Sequence, residues 1–194
     1  MDQTDAELVH AVLFEDKNAY ALLLDRYMSS VYKFAYRYVR YPAEADDVTQ
    51  EAFVRAWKNL KKFDTTRNFK TWLFTIARNA ALDFIKKKKP LLFSRIIEEE
   101  ERLDAFLAPY MGTAELPDEM FDRSVAKAGV TSALGALPTP YRTVLAMRYN
   151  DNLKFREIAE ALGEPIDTVK SKHRRGLLLL RKIMTGDMPG SSLA

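Results

Sequence analysis

The chain has 194 residues, 47% of them hydrophobic and 29% charged, with a formal net charge of +3; this is the profile of a globular protein of one domain or two small ones. With no cysteine and only two histidines, His10 and His173, a disulfide framework, a Cys-ligated zinc site, thiol chemistry and a three-His metal centre are all excluded. The start, MDQTDAEL, is acidic and lacks the apolar core of a secretory signal, and the longest aliphatic run, Leu177–Leu180, falls far short of the roughly 20 residues a membrane span needs. A cytoplasmic protein with no membrane insertion and no cofactor is expected.

In chain order, the pattern is helical throughout. Leu8, Val12 and Leu13 form one apolar stripe, and Ala19, Leu22, Leu23 and Tyr27 another. An aromatic-rich stretch, Ser30–Tyr41, is stopped by Pro42. The next helix is expected from Ala43 to about Leu60, a loop over Lys61–Asn68, and a further helix from Phe69 or Lys70 into Lys86–Lys89, cations that suit a helix C-terminus. The first glycine is Gly112, so the N-terminal half carries no glycine turn signal.

Charge is distributed unevenly. Residues 1–90 carry 16 Lys+Arg against 12 Asp+Glu, residues 91–124 carry 3 against 9, and residues 125–194 carry 11 against 6. The two basic blocks point to polyanion contacts, although charge runs are also ordinary solvated surfaces. The acidic middle segment, with Glu98–Glu101, Pro109, Gly112 and Pro117, reads as a linker holding at most a short helix near Ile96–Phe106. The expected division is 1–90, 91–124, 125–185 and a flexible tail at 186–194.

After the linker, Leu134, Leu137, Val144, Leu145 and Met147 are core candidates. The segment KFREIAEALGEPIDTVKSKHRRGLLLL, Lys154–Leu180, then fits a helix-turn-helix. Ala159 is small where a second helix must cross, Gly163 supplies the turn, Asp167 or Thr168 caps the second helix, and Val169 points to the core. Arg156, Thr168, Lys170, Ser171, Lys172, Arg174 and Arg175 supply donors for phosphates and base edges in duplex DNA. In the first half, aromatics interleave with cations: Lys62, Phe63, Arg67, Asn68, Lys70, Trp72, Arg78 and Asn79, with Lys86 and Lys87 beyond. That mixture suits a single strand with unstacked bases, or it is a partly buried aromatic core.

The blocks DDVTQEAFVRAWKNLKKFD (Asp46–Asp64), FKTWLFTIARNAALDFIKKKK (Phe69–Lys89) and LGALPTPYRTVLAMRYNDNLKFREIAEALGEPIDTVKSKHRRG resemble, in order, three segments of the bacterial extracytoplasmic-function (ECF) group of RNA polymerase sigma factors. The resemblance implies an all-α fold of two helical domains, a sigma region 2-like domain and a sigma region 4-like helix-turn-helix. It further implies a non-enzymatic role: core polymerase bound through Asp46, Asp47, Gln50, Glu51, Phe53 and Arg55, a minus-ten element read as melted strand by the aromatic and cationic set above, and a minus-thirty-five element read as duplex by the second domain. An anti-sigma partner is implied as well. Asp83 is expected to brace its helix, because a carboxylate repels phosphate.

Other readings stay open at this point. They are a helix-turn-helix regulator working without polymerase, a sigma mimic that sequesters an anti-sigma protein, and an enzyme placing magnesium on the i, i+4 pair Asp47 and Glu51. Several positions depart from the family pattern. His173 stands where an aliphatic residue is usual, Gly176 interrupts a helix at a cost of about 1 kcal/mol, and Asp167 replaces a common glycine. The four leucines 177–180 are not expected to share one core.

Overall fold

A computed structural model describes residues 3–14, 16–91, 94 and 127–185. Among them there are helices and no strands: α1 (Asp5–Leu13), α2 (Lys17–Val39), α3 (Pro42–Asn59), a 3-10 turn (Leu60–Lys62), α4 (Phe69–Lys88), α5 (Lys127–Ala136), α6 (Thr139–Tyr149), α7 (Phe155–Leu162) and α8 (Ile166–Thr185). The described residues within Met1–Phe93 and Arg156–Glu164 form one compact unit, and those within Ser94–Phe155 and Pro165–Ala194 a second. The expected helix near Ile96–Phe106 and the tail 186–194 lie outside the described residues.

In the first unit, α1 opens with a capping box. Thr4 Oγ1 accepts from Glu7 N at 3.3 Å while Thr4 N donates to the Glu7 carboxylate at 2.7 Å. Asp5 ties this turn to α2, pairing with Arg26 at 2.5 Å and accepting from the Tyr27 hydroxyl. Burial first, then that hydrogen bond, pushes the Tyr27 phenol well above its ordinary range. The stripe at 19–27 and the aromatic stretch that follows it prove to be one 23-residue helix. Its end is also better defined than Pro42 alone indicates. Arg40 adopts the left-handed conformation (φ 64°) and donates its N–H to Tyr36 O at 3.0 Å, so that Pro42 begins α3.

The core of this unit follows from helical spacing. On α2, Ala19, Leu23, Tyr27, Val31, Phe34, Ala35, Tyr38 and Val39 are buried; on α3, Ala45, Val48, Thr49, Ala52, Phe53 and Ala56; on α4, Leu73, Phe74, Ala77, Ala80, Ala81 and Ile85. Alanines let the backbones approach, and the phenylalanines fill the space between them. The rings of Phe34 and Phe74 meet edge to face at 5.2 Å, and each fully buried aromatic or aliphatic side chain contributes roughly 1.5–3 kcal/mol. Asn68 starts α4, its side chain accepting from Thr71 N at 3.0 Å.

In the second unit α8 packs on α5 and α6. The expected core residues Leu137, Val144, Leu145 and Met147 are buried, and Leu134 is half-buried. Gly176 has a packing reason: a Cβ there would lie 3.1 Å from Leu145 Cδ1 and 3.2 Å from its Cγ, so the helix touches its neighbour nearly backbone to side chain. The four leucines do not share one core, as expected, but three of them are buried: Leu179 and Leu180 belong to the cluster of Leu137, Tyr141 and Leu145, Leu177 packs half-buried against it, and Leu178 is buried outside it. Consecutive helical positions are 100° apart, so α8 is covered on more than one side at this level.

His173 is buried, its Nε2 3.0 Å from the Tyr149 hydroxyl and its ring edge-on to Phe155. Gly163, at φ 61°, makes the turn after α7. Helix α8 begins at Ile166, one residue before the expected Asp167 cap and two before Thr168. Asp167 therefore sits inside the first turn, where a carboxylate suits the helix dipole without capping it. Val169 is fully buried, as its spacing requires.

Candidate functional site

Helix α3 turns one face to solvent. Asp46, Asp47, Gln50 and Glu51 are all exposed, and the same face carries two apolar side chains, Val54 (44% exposed) and Trp57 (46%). Trp57 leans edge-on against Tyr20 at 4.7 Å, and the Tyr20 hydroxyl donates to Phe53 O at 2.6 Å; burial raises the Tyr20 phenol to about 12. The apolar side chains on this exposed face are thus Val54 and Trp57, and not Phe53 as expected. Phe53 is buried at 6% exposure and belongs to the core. The periodicity 47–50/51–54–57/58 could have shown this, but adjacent apolar residues at 53 and 54 leave the phase of a short window ambiguous.

Arg55 is half-buried and does not project alone. Its Nε donates to Glu51 at 2.7 Å and its Nη1 to Asp83 of α4 at 2.6 Å; these bonds, Asp83 first, raise its already high pKa. Two further ion pairs join the start of α3 to the end of α4. Lys89 Nζ lies 2.6 Å from Glu44 and 4.1 Å from the Tyr41 ring centroid, and Lys88 lies 3.9 Å from Asp47. The lysine run therefore divides: Lys88 and Lys89 turn back on α3, whereas Lys86 and Lys87 extend into solvent.

The loop before α4 is a tight polar turn over an aromatic base. Asp64 accepts from Thr66 N at 2.9 Å and from its hydroxyl at 2.7 Å, and that hydroxyl bond holds the Asp64 carboxyl below its ordinary range. Phe63 and Phe69 are buried, edge to face at 5.6 Å, with half-buried Trp72 tilted on Phe63 at 4.8 Å. Phe63 is therefore a support for the loop and not an exposed stacking platform. Lys62, Arg67 and Asn68 are exposed around it, with Lys70 and Arg78 half-buried, and Asn79 exposed farther along α4.

On the α7–α8 segment, Arg156 and Lys170 are exposed, and Thr168, Ser171, Arg174 and Arg175 are half-buried. Lys170 has an acidic neighbour at i−3, Asp167, at 3.8 Å. Lys172 is buried at 5% exposure beside His173 and one turn from Gly176, on the packed side of α8. That position removes it from the set facing outward. No helix among the described residues is long and apolar enough to cross a membrane.

Two family models match the chain, sigma-70 region 2 over residues 23–90 and sigma-70 region 4 over residues 128–180. Over 168 residues it is 36% identical to the ECF RNA polymerase sigma factor SigW of Bacillus subtilis, covering 86% of this chain and 89% of that protein. The chain belongs to the ECF group of RNA polymerase sigma factors. It is also 31% identical over 172 residues to the RNA polymerase sigma-H factor of Pseudomonas aeruginosa, with 88% of each chain covered. Among solved structures, CnrH in complex with the cytosolic domain of CnrY has the same fold at a TM-score of 0.64 and 24% identity, with 95% of this chain and 99% of that one covered. The sigma factor RpoE in complex with the anti-sigma factor NepR from Bartonella quintana gives 0.56 at 20% identity, covering 87% and 98%. This sigma factor is accordingly a specificity factor for transcription initiation and not an enzyme. A helix-turn-helix regulator without polymerase would leave the region 2 match unexplained.

Proposed function

We propose that this sigma factor docks on core RNA polymerase through the exposed face of α3. Asp46, Asp47, Gln50 and Glu51 supply charge-assisted hydrogen bonds around an apolar anchor made by Val54 and Trp57. The observation that carries this reading is the pair of half-exposed apolar side chains, Val54 and Trp57, set among carboxylates on one helix face. Next to it, Lys62, Arg67, Asn68, Lys70, Trp72, Arg78, Asn79, Lys86 and Lys87 engage the melted minus-ten strand. Extruding a base costs a few kcal/mol, which contacts to the strand offset. Arg156, Thr168, Lys170, Ser171, Arg174 and Arg175 meet the minus-thirty-five element as duplex.

The corresponding domains are 1–90 and 125–185, joined by the acidic linker 91–124. The protein works in the cytoplasm beside polymerase. An anti-sigma protein regulates it, in line with the CnrY and NepR complexes of the two structurally similar chains.

Run-off transcription with purified core polymerase tests the reading. Transcripts that require the chain, with start sites sharing two upstream motifs at fixed spacing, are the expected result. Val54→Asp should abolish core binding while helical content and the fluorescence of Trp57 and Trp72 stay native. DNA binding with no association to core would overturn the proposal.

A further inference from the structure

Four exposed positions, Asn79, Asp83, Lys86 and Lys87, follow one another along α4 at i, i+4, i+7 and i+8, which places them on one helical face. Three suit a polyanion and one does not. Asp83, its side chain 62% exposed, puts a carboxylate in the middle of the stripe. Its ion-pair partner among the described residues is Arg55, whose Nη1 sits 2.6 Å away; the same guanidinium is held through Nε by Glu51 at 2.7 Å. The Arg55 guanidinium thus engages its own chain through Nε and Nη1. It is well placed to cancel a charge, because its planar fork is directed and it stays protonated at any working pH.

We infer that Arg55 serves the DNA face and not the polymerase face: it neutralises Asp83 in the α4 stripe so that Asn79, Lys86 and Lys87 can approach a phosphate backbone, and Glu51 positions it for that task. This rests on the reading of α4 as the minus-ten surface. Arg55 is here a positioning residue, since it acts through Asp83. A brace that mattered only for stability would be nearly silent, because partly exposed ion pairs contribute little. The charge effect is different in kind. Without Arg55 the Asp83 carboxylate loses its ion pair and faces phosphate in the assembled complex with the flexible Lys86 and Lys87 alone beside it, and like charges juxtaposed at an interface are strongly unfavourable.

The experiment uses the full chain with core polymerase and a promoter it transcribes. Core affinity is measured by fluorescence anisotropy, and open complexes by permanganate reactivity of minus-ten thymines at saturating core. Arg55→Met should keep core affinity near wild type and lower open complexes about tenfold at low salt, less at high salt. Asp83→Asn alone should change little, and the double variant R55M/D83N should recover open complexes to near wild type.

That suppression is the discriminating result, since loss of a structural strut alone predicts equally small effects in the two single variants and no rescue. A core affinity that falls in R55M and is not restored in the double variant would make Arg55 a polymerase contact and overturn the inference. A loss of open complexes in D83N alone would mean that Asp83 itself touches a base, and would overturn it too. Asp47→Ala provides the control: if it leaves core binding intact, the reading of α3 as the polymerase face fails independently of Arg55.

Discussion

The two units are held together by different means. In the first, the helices meet through alanines and large aromatics, and their surfaces are tied by ion pairs between helices: Asp5 with Arg26, Glu44 with Lys89, and Asp83 with Arg55. In the second, the long helix α8 lies so close to α6 that a single methyl group at Gly176 would press on Leu145, and the half-buried Tyr149 hydroxyl meets the buried His173 ring. The contrast shows that a segment which must present charge can spend that same charge on its own architecture.

Both tryptophans of the chain, Trp57 and Trp72, lie in the first unit, so their fluorescence follows that unit while far-UV circular dichroism follows both. The largest effect is expected at Phe34, fully buried against Phe74. Phe34→Ala should cost about 3–5 kcal/mol, visible as an earlier tryptophan transition with a second dichroism transition unmoved. Gly176→Leu should do the reverse, removing about 3 kcal/mol from the second unit by overpacking, with the fluorescence transition in place. If either variant moves both transitions equally, the two units unfold as one and the contrast fails.

Smaller effects sharpen the comparison. Lys89→Met should destabilise the first unit by no more than about 1 kcal/mol, and thermal melts in rising salt should close the gap between variant and wild type. The smallest effect is at Asp64, whose carboxyl is held below its ordinary value of 3.8 by the Thr66 hydroxyl. A depressed pKa means that the contribution is complete above that ordinary value and is lost as pH falls through the lower folded one. The protection of the Thr66 amide, taken relative to its intrinsic exchange rate, should therefore fall in that acidic window, and Asp64→Asn should remove that change.

Much of this was legible in the residues. Pro42 and Asn68 mark helix starts by chemistry that is local, and the spacing Ala159–Gly163–Val169 places a turn and a core residue with no reference to anything distant. Asp83 reads from the sequence as a brace of its own helix, and the structure gives it an ion-pair partner on a different one, Arg55 of α3 at 2.6 Å. What escaped depended on neighbours that are remote in sequence. Whether Phe53 or Val54 faces inward is decided by how α3 lies against α2 and α4. Lys172 reads as an outward cation until α8 is seen to be covered on more than one side, and Phe63 reads as a base platform until Phe69 and Trp72 close around it.

The corner between α2 and α3 has a consequence for sequence drift. Its left-handed residue is Arg40, at a place where helices commonly end in glycine, and the chain has no glycine before Gly112. A non-glycine residue in that conformation carries a penalty of about 1–2 kcal/mol, so the corner works like a filter on substitutions. Glycine and asparagine should pass freely, unbranched side chains at a modest cost, and valine, isoleucine or threonine hardly at all. Tolerance at position 40 is thus set by backbone shape, even though the residue that stands there is a surface cation.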